Sequence, residues 1–179
     1  MSIQINITQN IDKKLAAITL AGLNLDEAAE EIGQDFVSLV RLGFRLSEDP
    51  YGNKWEALKM RKGKPLEDTG HLRQSFTAET TSKSIVVGTN TPYAATHHFG
   101  AVIVPLKATR LQSKVGSKKS GQEHQSLAWK VKDVWYFAKK VTIPARPMIP
   151  NESDGLPEKW QDVAIETLTD YIEEAVNNA

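Results

Sequence analysis

The chain has 179 residues, no cysteine, and 22 basic against 22 acidic side chains, so its formal net charge is zero with histidine neutral. That length fits one domain over residues 1–179, and the missing cysteines exclude disulfide frameworks, thiol catalysis and thiolate metal sites. No apolar run approaches the roughly 18–20 residues of a membrane span. The opening MSIQINITQN lacks a basic start followed by an apolar core, so a soluble protein made in the cytoplasm is expected.

Residues 3–7 alternate Ile-Gln-Ile-Asn-Ile, which predicts a short strand. Residues 9–20 place Ile11, Leu15 and Ile18 at helical spacing. The strongest helix is predicted over 25–46, where Leu25, Ala28, Ala29, Ile32, Phe36, Leu39, Val40, Gly43 and Phe44 form an apolar stripe. Asp26 is the expected cap, and Glu27, Glu30 and Glu31 lie early in the helix and Arg41 and Arg45 late, as the helix dipole favours. Pro50 and Gly52 then stop it. Residues 47–68 read as a loop or arm anchored by Trp55.

A short helix is predicted over 69–76, capped by Asp68 or Thr69, with Leu72 inward. A hairpin follows, Ser75–Thr80 and Ile85–Gly88, with its turn near residues 82–84. After a loop over 88–92, Tyr93–Phe99 reads as one or two helical turns ended by Gly100 in a left-handed conformation. Tyr93 and Phe99 are expected to pack under the sheet, and Ala101–Pro105 to form a strand. Residues 106–126 hold Lys107, Arg110, Lys114, Lys118 and Lys119 with little apolar pattern, so they read as a long, flexible basic loop. A second hairpin is expected from Leu127–Val131 and Trp135–Ile143 around residues 132–133. Pro144 and Pro147 keep the next segment extended. The last helix spans about 156–177, with Asp154 or Ser153 starting it, Pro157 in its first turn, and a stripe through Leu156, Trp160, Ala164, Leu168 and Ile172. The fold class is α+β: an antiparallel sheet of two hairpins packed against a long helix in the N-terminal half and a C-terminal helix.

The zero net charge conceals polarity. Residues 105–146 carry 10 basic and 2 acidic side chains, net +8, while residues 147–179 carry 1 and 8, net −7. Opposite surfaces of this kind either face each other within one fold or steer one copy onto the next. The basic stretch lacks a nucleic-acid-binding signature, so DNA contact is possible but not favoured. No dinucleotide fingerprint, phosphate-binding loop, nucleophile elbow or zinc-binding helix motif is present. The adjacent His97 and His98 point ~100° apart on a helix and so suit one metal poorly. Neither catalytic residues, nor a metal site, nor a cofactor is expected. One histidine should be packed and the other should lie at an interface.

Four ordered stretches carry a resemblance. They are Asp49-Pro50-Tyr51-Gly52 with Trp55 and Leu58; Leu66-Glu67-Asp68-Thr69-Gly70-His71-Leu72-Arg73-Gln74-Ser75; Val87-Gly88-Thr89-Asn90 with Tyr93-Ala94-Ala95-Thr96-His97-His98-Phe99-Gly100; and Ile143-Pro144-Ala145-Arg146-Pro147. In this order and spacing they resemble the phage virion morphogenesis family, the tail completion proteins of Mu-like and related contractile-tailed phages. The chain departs from that pattern at Met148-Ile149-Pro150 and at His98, where a glutamine is commoner.

The resemblance implies a non-enzymatic structural protein of the virion tail or neck, made in the host bacterial cytoplasm. It would act in tail completion or head–tail joining, forming a homo-oligomer such as a ring and meeting tail tube, terminator or connector proteins, with no membrane partner. A capsid assembly factor and a DNA-contacting neck protein are the alternatives. Pro50, Gly52, Trp55, Asp68, Thr69, Gly70, Leu72, Gly88, Tyr93, Ala94, His97, Phe99, Gly100, Pro144, Arg146 and Pro147 are expected to define the fold. The candidate interface comprises Lys107, Arg110, Lys114, Lys118, Lys119 and Arg146, with Glu166, Asp170, Glu173 and Glu174 on the acidic face of the last helix. Arg146, held between rigid backbone segments, would pair with a carboxylate within the subunit or across a junction.

Overall fold

The computed structural model describes residues 2–5, 25–59, 62–81, 84–105, 126–131 and 134–177. The predicted helix over 9–20 and nearly all of the basic loop over 106–126 lie outside the described residues.

Helix α1 (Leu25–Leu46) has the predicted bounds. Asp26, the expected cap, lies inside the helix, one residue after its start at Leu25. Ala28, Ile32, Phe36, Val40 and Phe44 are buried along it, and Gly33 and Val37 widen the buried stripe. Its end differs from expectation: the helix stops before Pro50 and Gly52, at Ser47, whose φ is +55°. The amide of Glu48 donates to Gly43 O at 3.1 Å and that of Ser47 to Phe44 O at 3.3 Å. That pair of bonds closes a Schellman motif with serine in the position glycine usually takes.

Strands β1 (Ser2–Ile5), β2 (Phe76–Thr81) and β3 (Ser84–Thr89) form an antiparallel sheet in the order β1-β3-β2. Ile3 lies opposite Val87, and Phe76 opposite Thr89. The first predicted hairpin is thus present, extended by the N-terminal strand. Alternation puts Phe76 on one strand, and Ile85 and Val87 on the other, into the core. Helix α1 lies across this sheet. The approach is closest at Gly33, where an added Cβ would meet Thr80 Cγ2 at 2.8 Å and Ala78 Cβ at 3.0 Å.

The short helix α2 (His71–Gln74) is smaller than predicted. Its N-cap is Gly70 at φ +77°, with no side-chain cap bond, and Thr69 Oγ1 reaches the His71 amide only at 3.4 Å. Helix α3 (Ala94–Phe99) buries Ala94 and His98. Tyr93 and Phe99 do not pack under the sheet as expected; both are exposed. A six-residue helix has one narrow inward face, and Ala94 and His98 occupy it. Gly100 has the expected positive φ, +74°, but with ψ 167° it is extended rather than left-handed helical.

Beyond α3 the predicted second hairpin is divided. Strands β5 (Leu127–Val131) and β6 (Val134–Ala138) pair with each other. Strand β7 (Val141–Ile143) instead pairs antiparallel with β4 (Ala101–Ile103). The consecutive Lys139 and Lys140 interrupt the alternation and let the chain change partner. The antiparallel strands therefore form three small sheets.

Helix α4 (Glu158–Asn177) begins after Pro157 rather than around it. The amides of Trp160 and Gln161 donate to Pro157 O at 2.9 and 3.0 Å, so neither Asp154 nor Ser153 caps it. Helix α4 packs on α1: the rings of Phe36 and Trp160 are 5.0 Å apart, and Thr167 Oγ1 donates to Asp35 Oδ2 at 2.8 Å. Among the described residues no helix is long and apolar enough to cross a membrane.

Candidate functional site

The four motif stretches meet in one junction beside the core. Asp49 builds the first turn: its Oδ1 accepts from the amides of Tyr51 and Asn53, both at 2.9 Å. Gly52, at φ +87°, completes that turn. Trp55 then inserts edge-on against Phe44, ring centroids 5.4 Å apart, and its Nε1–H donates to Pro147 O at 3.0 Å. Tyr51 reaches the same segment: its hydroxyl donates to Gly155 O at 2.8 Å and accepts from the Asn151 amide at 3.1 Å. The second and third stretches are joined by the hydroxyls of Ser75, Thr89 and Thr91, mutually within 3.1 Å.

Arg146 sits at the centre of this junction and is 5% exposed. Its Nη2 and Nε donate to Glu56 O at 2.8 and 3.3 Å, and its amide donates to His97 O at 2.8 Å. The guanidinium therefore clamps a backbone carbonyl of the 49–56 loop, not a carboxylate, and it is buried within the subunit rather than offered to a partner. Pro144 and Pro147 hold the flanking backbone extended, as their fixed φ requires.

His98 is the packed histidine. Its Nδ1 accepts from the Met148 amide at 3.1 Å, so the proton resides on Nε2, 3.3 Å from Asn151 Oδ1. Burial pushes its pKa below the ordinary 6.5, with the Asn151 bond opposing. Burial, reinforced by the charge of Arg146, lowers that of His97 in the same direction. The unfolded chain therefore binds more protons than the folded chain just below pH 6.5. Stability is expected to be full above that pH and to fall as pH drops through the lowered folded values. Denaturant midpoints measured between pH 7.5 and 5.5 should show a shallower decline in His98→Gln than in the parent chain. Parallel slopes would refute the assignment.

The candidate surface residues divide. Lys107, Arg110, Lys114, Lys118 and Lys119 lie outside the described residues. Glu166, Asp170, Glu173 and Glu174 are exposed on α4, beside Glu158 and Asp162. An open cleft of about 320 Å³ lies between the second half of α1, the 48–52 turn and the start of α4; Tyr51, Met148 and Trp160 line it. The apolar exposure of the β5–β6 hairpin was not foreseen. Trp135 and Phe137 project from one face of β6 with their rings 6.5 Å apart. Val-Trp-Tyr-Phe at 134–137 is apolar on both faces, and that is the signal for it in the sequence.

The sequence profile of the phage virion morphogenesis family matches residues 6–173. The chain belongs to this family. A Haemophilus influenzae protein, "Mu-like prophage FluMu G protein 2", is 30% identical over 165 residues, which cover 90% of this chain and 94% of the relative. No solved structure matches the chain.

The morphogenesis protein thus has a structural role in building a phage virion and is virion-associated. Its junction is where the four motif stretches meet. Trp55 bonds Pro147 and Arg146 bonds Glu56, joining segments ninety or more residues apart, and Gly100 lies close against the backbone of Ile143 and Ala145. Asn151 and Thr91, which complete the junction, stand just outside the motif stretches or among loop residues, where a polar side chain has no pattern to mark it.

Proposed function

We propose that this protein is a non-enzymatic component of the tail end or neck that completes the tail or joins it to the head, and that it assembles as a ring of like copies. The observation that carries this reading is the polarity of charge. The acidic side chains of α4 stand exposed on one helix face, while the net +8 of residues 105–146 belongs to a different part of the chain. Of the basic residues in that stretch Lys130, Lys139 and Lys140 are described and exposed, and complementary charges on separate elements of one subunit favour head-to-tail contact, which closes into a ring when the rotation allows. Family membership and the Mu-like prophage relative support the setting. Tail tube, terminator or connector proteins are the partners this reading names.

Electron microscopy of lysates from the parent phage, with this reading frame deleted, tests it. Full heads beside unattached or aberrant tails are expected. Malformed capsids with normal tails would move the protein to capsid assembly.

A further inference from the structure

Eight of the ten exposed large apolar side chains among the described residues fall between Tyr93 and Phe137, and the strongest group is on the β5–β6 hairpin. Trp135 and Phe137 are 57% and 62% exposed. They alternate with Tyr136, which stacks on Trp129 across the hairpin at 5.9 Å on the opposite face. The register sets Lys130 opposite Trp135 and Ala128 opposite Phe137. The outer face is therefore an aromatic pair flanked by a lysine, and the exposed Lys139 and Lys140 follow at the root of the hairpin. A two-stranded hairpin is marginal by itself. Two adjacent aromatic rings left in water on one are an interaction surface rather than scattered exposure.

The same chain carries a surface of matching chemistry. On α4, Ile165 is 51% exposed, with Asp162 one turn before it, Thr169 one turn after it, and the exposed acids Glu166 and Asp170 on the adjoining strip of the helix. An apolar spot beside a strip of acids is the counterpart of an aromatic pair beside lysines. The helix is also long enough to receive the hairpin. A five-residue strand spans ~17 Å and a twenty-residue helix ~30 Å.

We infer that the β5–β6 hairpin of one copy docks on the outer face of α4 of the next copy, with Trp135 and Phe137 against Ile165 and the lysines against the α4 carboxylates. The inference deepens the ring assembly proposed above and rests on it. The contact joins two different surfaces, so it is heterologous, and each copy gives one hairpin and receives one.

The absence of cysteine makes a direct test available. Lys130→Cys and Thr169→Cys are prepared as separate full-length proteins, mixed, and treated with a short bismaleimide. A cross-linked dimer is expected in the mixture and not in either protein alone. In parallel, Trp135→Ser/Phe137→Ser should weaken self-association at least tenfold by sedimentation velocity. Its denaturation midpoint should stay close to the parent value, because both side chains are more than half exposed. Lys139→Glu/Lys140→Glu should weaken association similarly, and mixing it with Glu166→Lys/Asp170→Lys should restore it.

Self-association unchanged in the aromatic double variant overturns the inference and leaves ring assembly standing. A parent chain that remains monomeric, with Trp135 nevertheless required to rescue the deletion phage, also overturns it and gives the hairpin to a different virion protein. The deletion phenotype in electron micrographs judges the tail or neck role separately.

Discussion

Trp55→Ala is expected to destabilise the fold by about 3–5 kcal/mol, the usual cost of truncating a buried tryptophan. Two effects combine. The indole fills the space beside Phe44 at the end of α1, and its removal leaves a cavity that the 49–56 turn is too constrained to close. The partly buried Pro147 carbonyl also loses its indole donor, a hydrogen bond whose net worth is about 0.5–1.5 kcal/mol. Against a total stability of about 5–15 kcal/mol this is a large fraction. Chemical denaturation followed by circular dichroism should show a lower midpoint with an unchanged slope. Trp55→Phe keeps most of the packing and loses the hydrogen bond, so it should fall between the two. A Trp55→Ala chain within 1 kcal/mol of the parent would mean that the junction does not support the core.

Gly100→Ala is expected to be nearly as damaging despite adding one carbon. A Cβ there would lie 2.8 Å from Ala145 N and 2.9 Å from Ile143 O. Both neighbours are backbone atoms, held by the β4–β7 pairing of Ala101 with Ile143. The φ of +74° with ψ of 167° adds strain of about 1–3 kcal/mol for any residue with a side chain. The clash brings the expected loss to about 3 kcal/mol or more. Gly52 is the control: its φ is also positive, +87°, but nothing lies within 4 Å of its added Cβ. Gly52→Ala should cost only the backbone strain, about 1–2 kcal/mol. Hydrogen exchange should show early loss of protection in residues 101–103 and 141–143 for Gly100→Ala alone. Equal effects of the two substitutions would refute the role given to the close approach at Gly100.

Helix α1 was legible in the sequence because three signals agree there. The apolar residues recur every three or four positions, acids open the helix, and Arg45 closes it. The β2–β3 hairpin was legible for a related reason, since one face is buried and the other wet. The exchange of partner between β6 and β7 was not. Apolar and β-branched residues run from Val134 to Ile143 with only two lysines between them, and a local pattern does not say which strand lies alongside. Arg146 was visible as an unusual residue between prolines. Its acceptor, however, is the carbonyl of Glu56, and every residue has a carbonyl, so nothing in the side-chain sequence marks the partner. Tyr93 and Phe99 were misplaced because aromatic character indicates burial somewhere, in the subunit or in an assembly, without distinguishing the two.

The packing of Trp160 on Phe36 also has a consequence for synthesis. The chain leaves the ribosome from its N-terminus, so the apolar face of α1 is translated long before the helix that covers it. At about 5–20 residues per second the interval is on the order of ten seconds. During that time the carboxylates of α4 do not yet exist, and the junction around Arg146 lacks half of its members. The face of α1 that meets Trp160 is covered only when α4 arrives, and the acidic helix is itself that closing piece. A subunit in which α4 has not yet been made therefore offers neither a finished core nor the acidic face, and the chain acquires both together when α4 arrives.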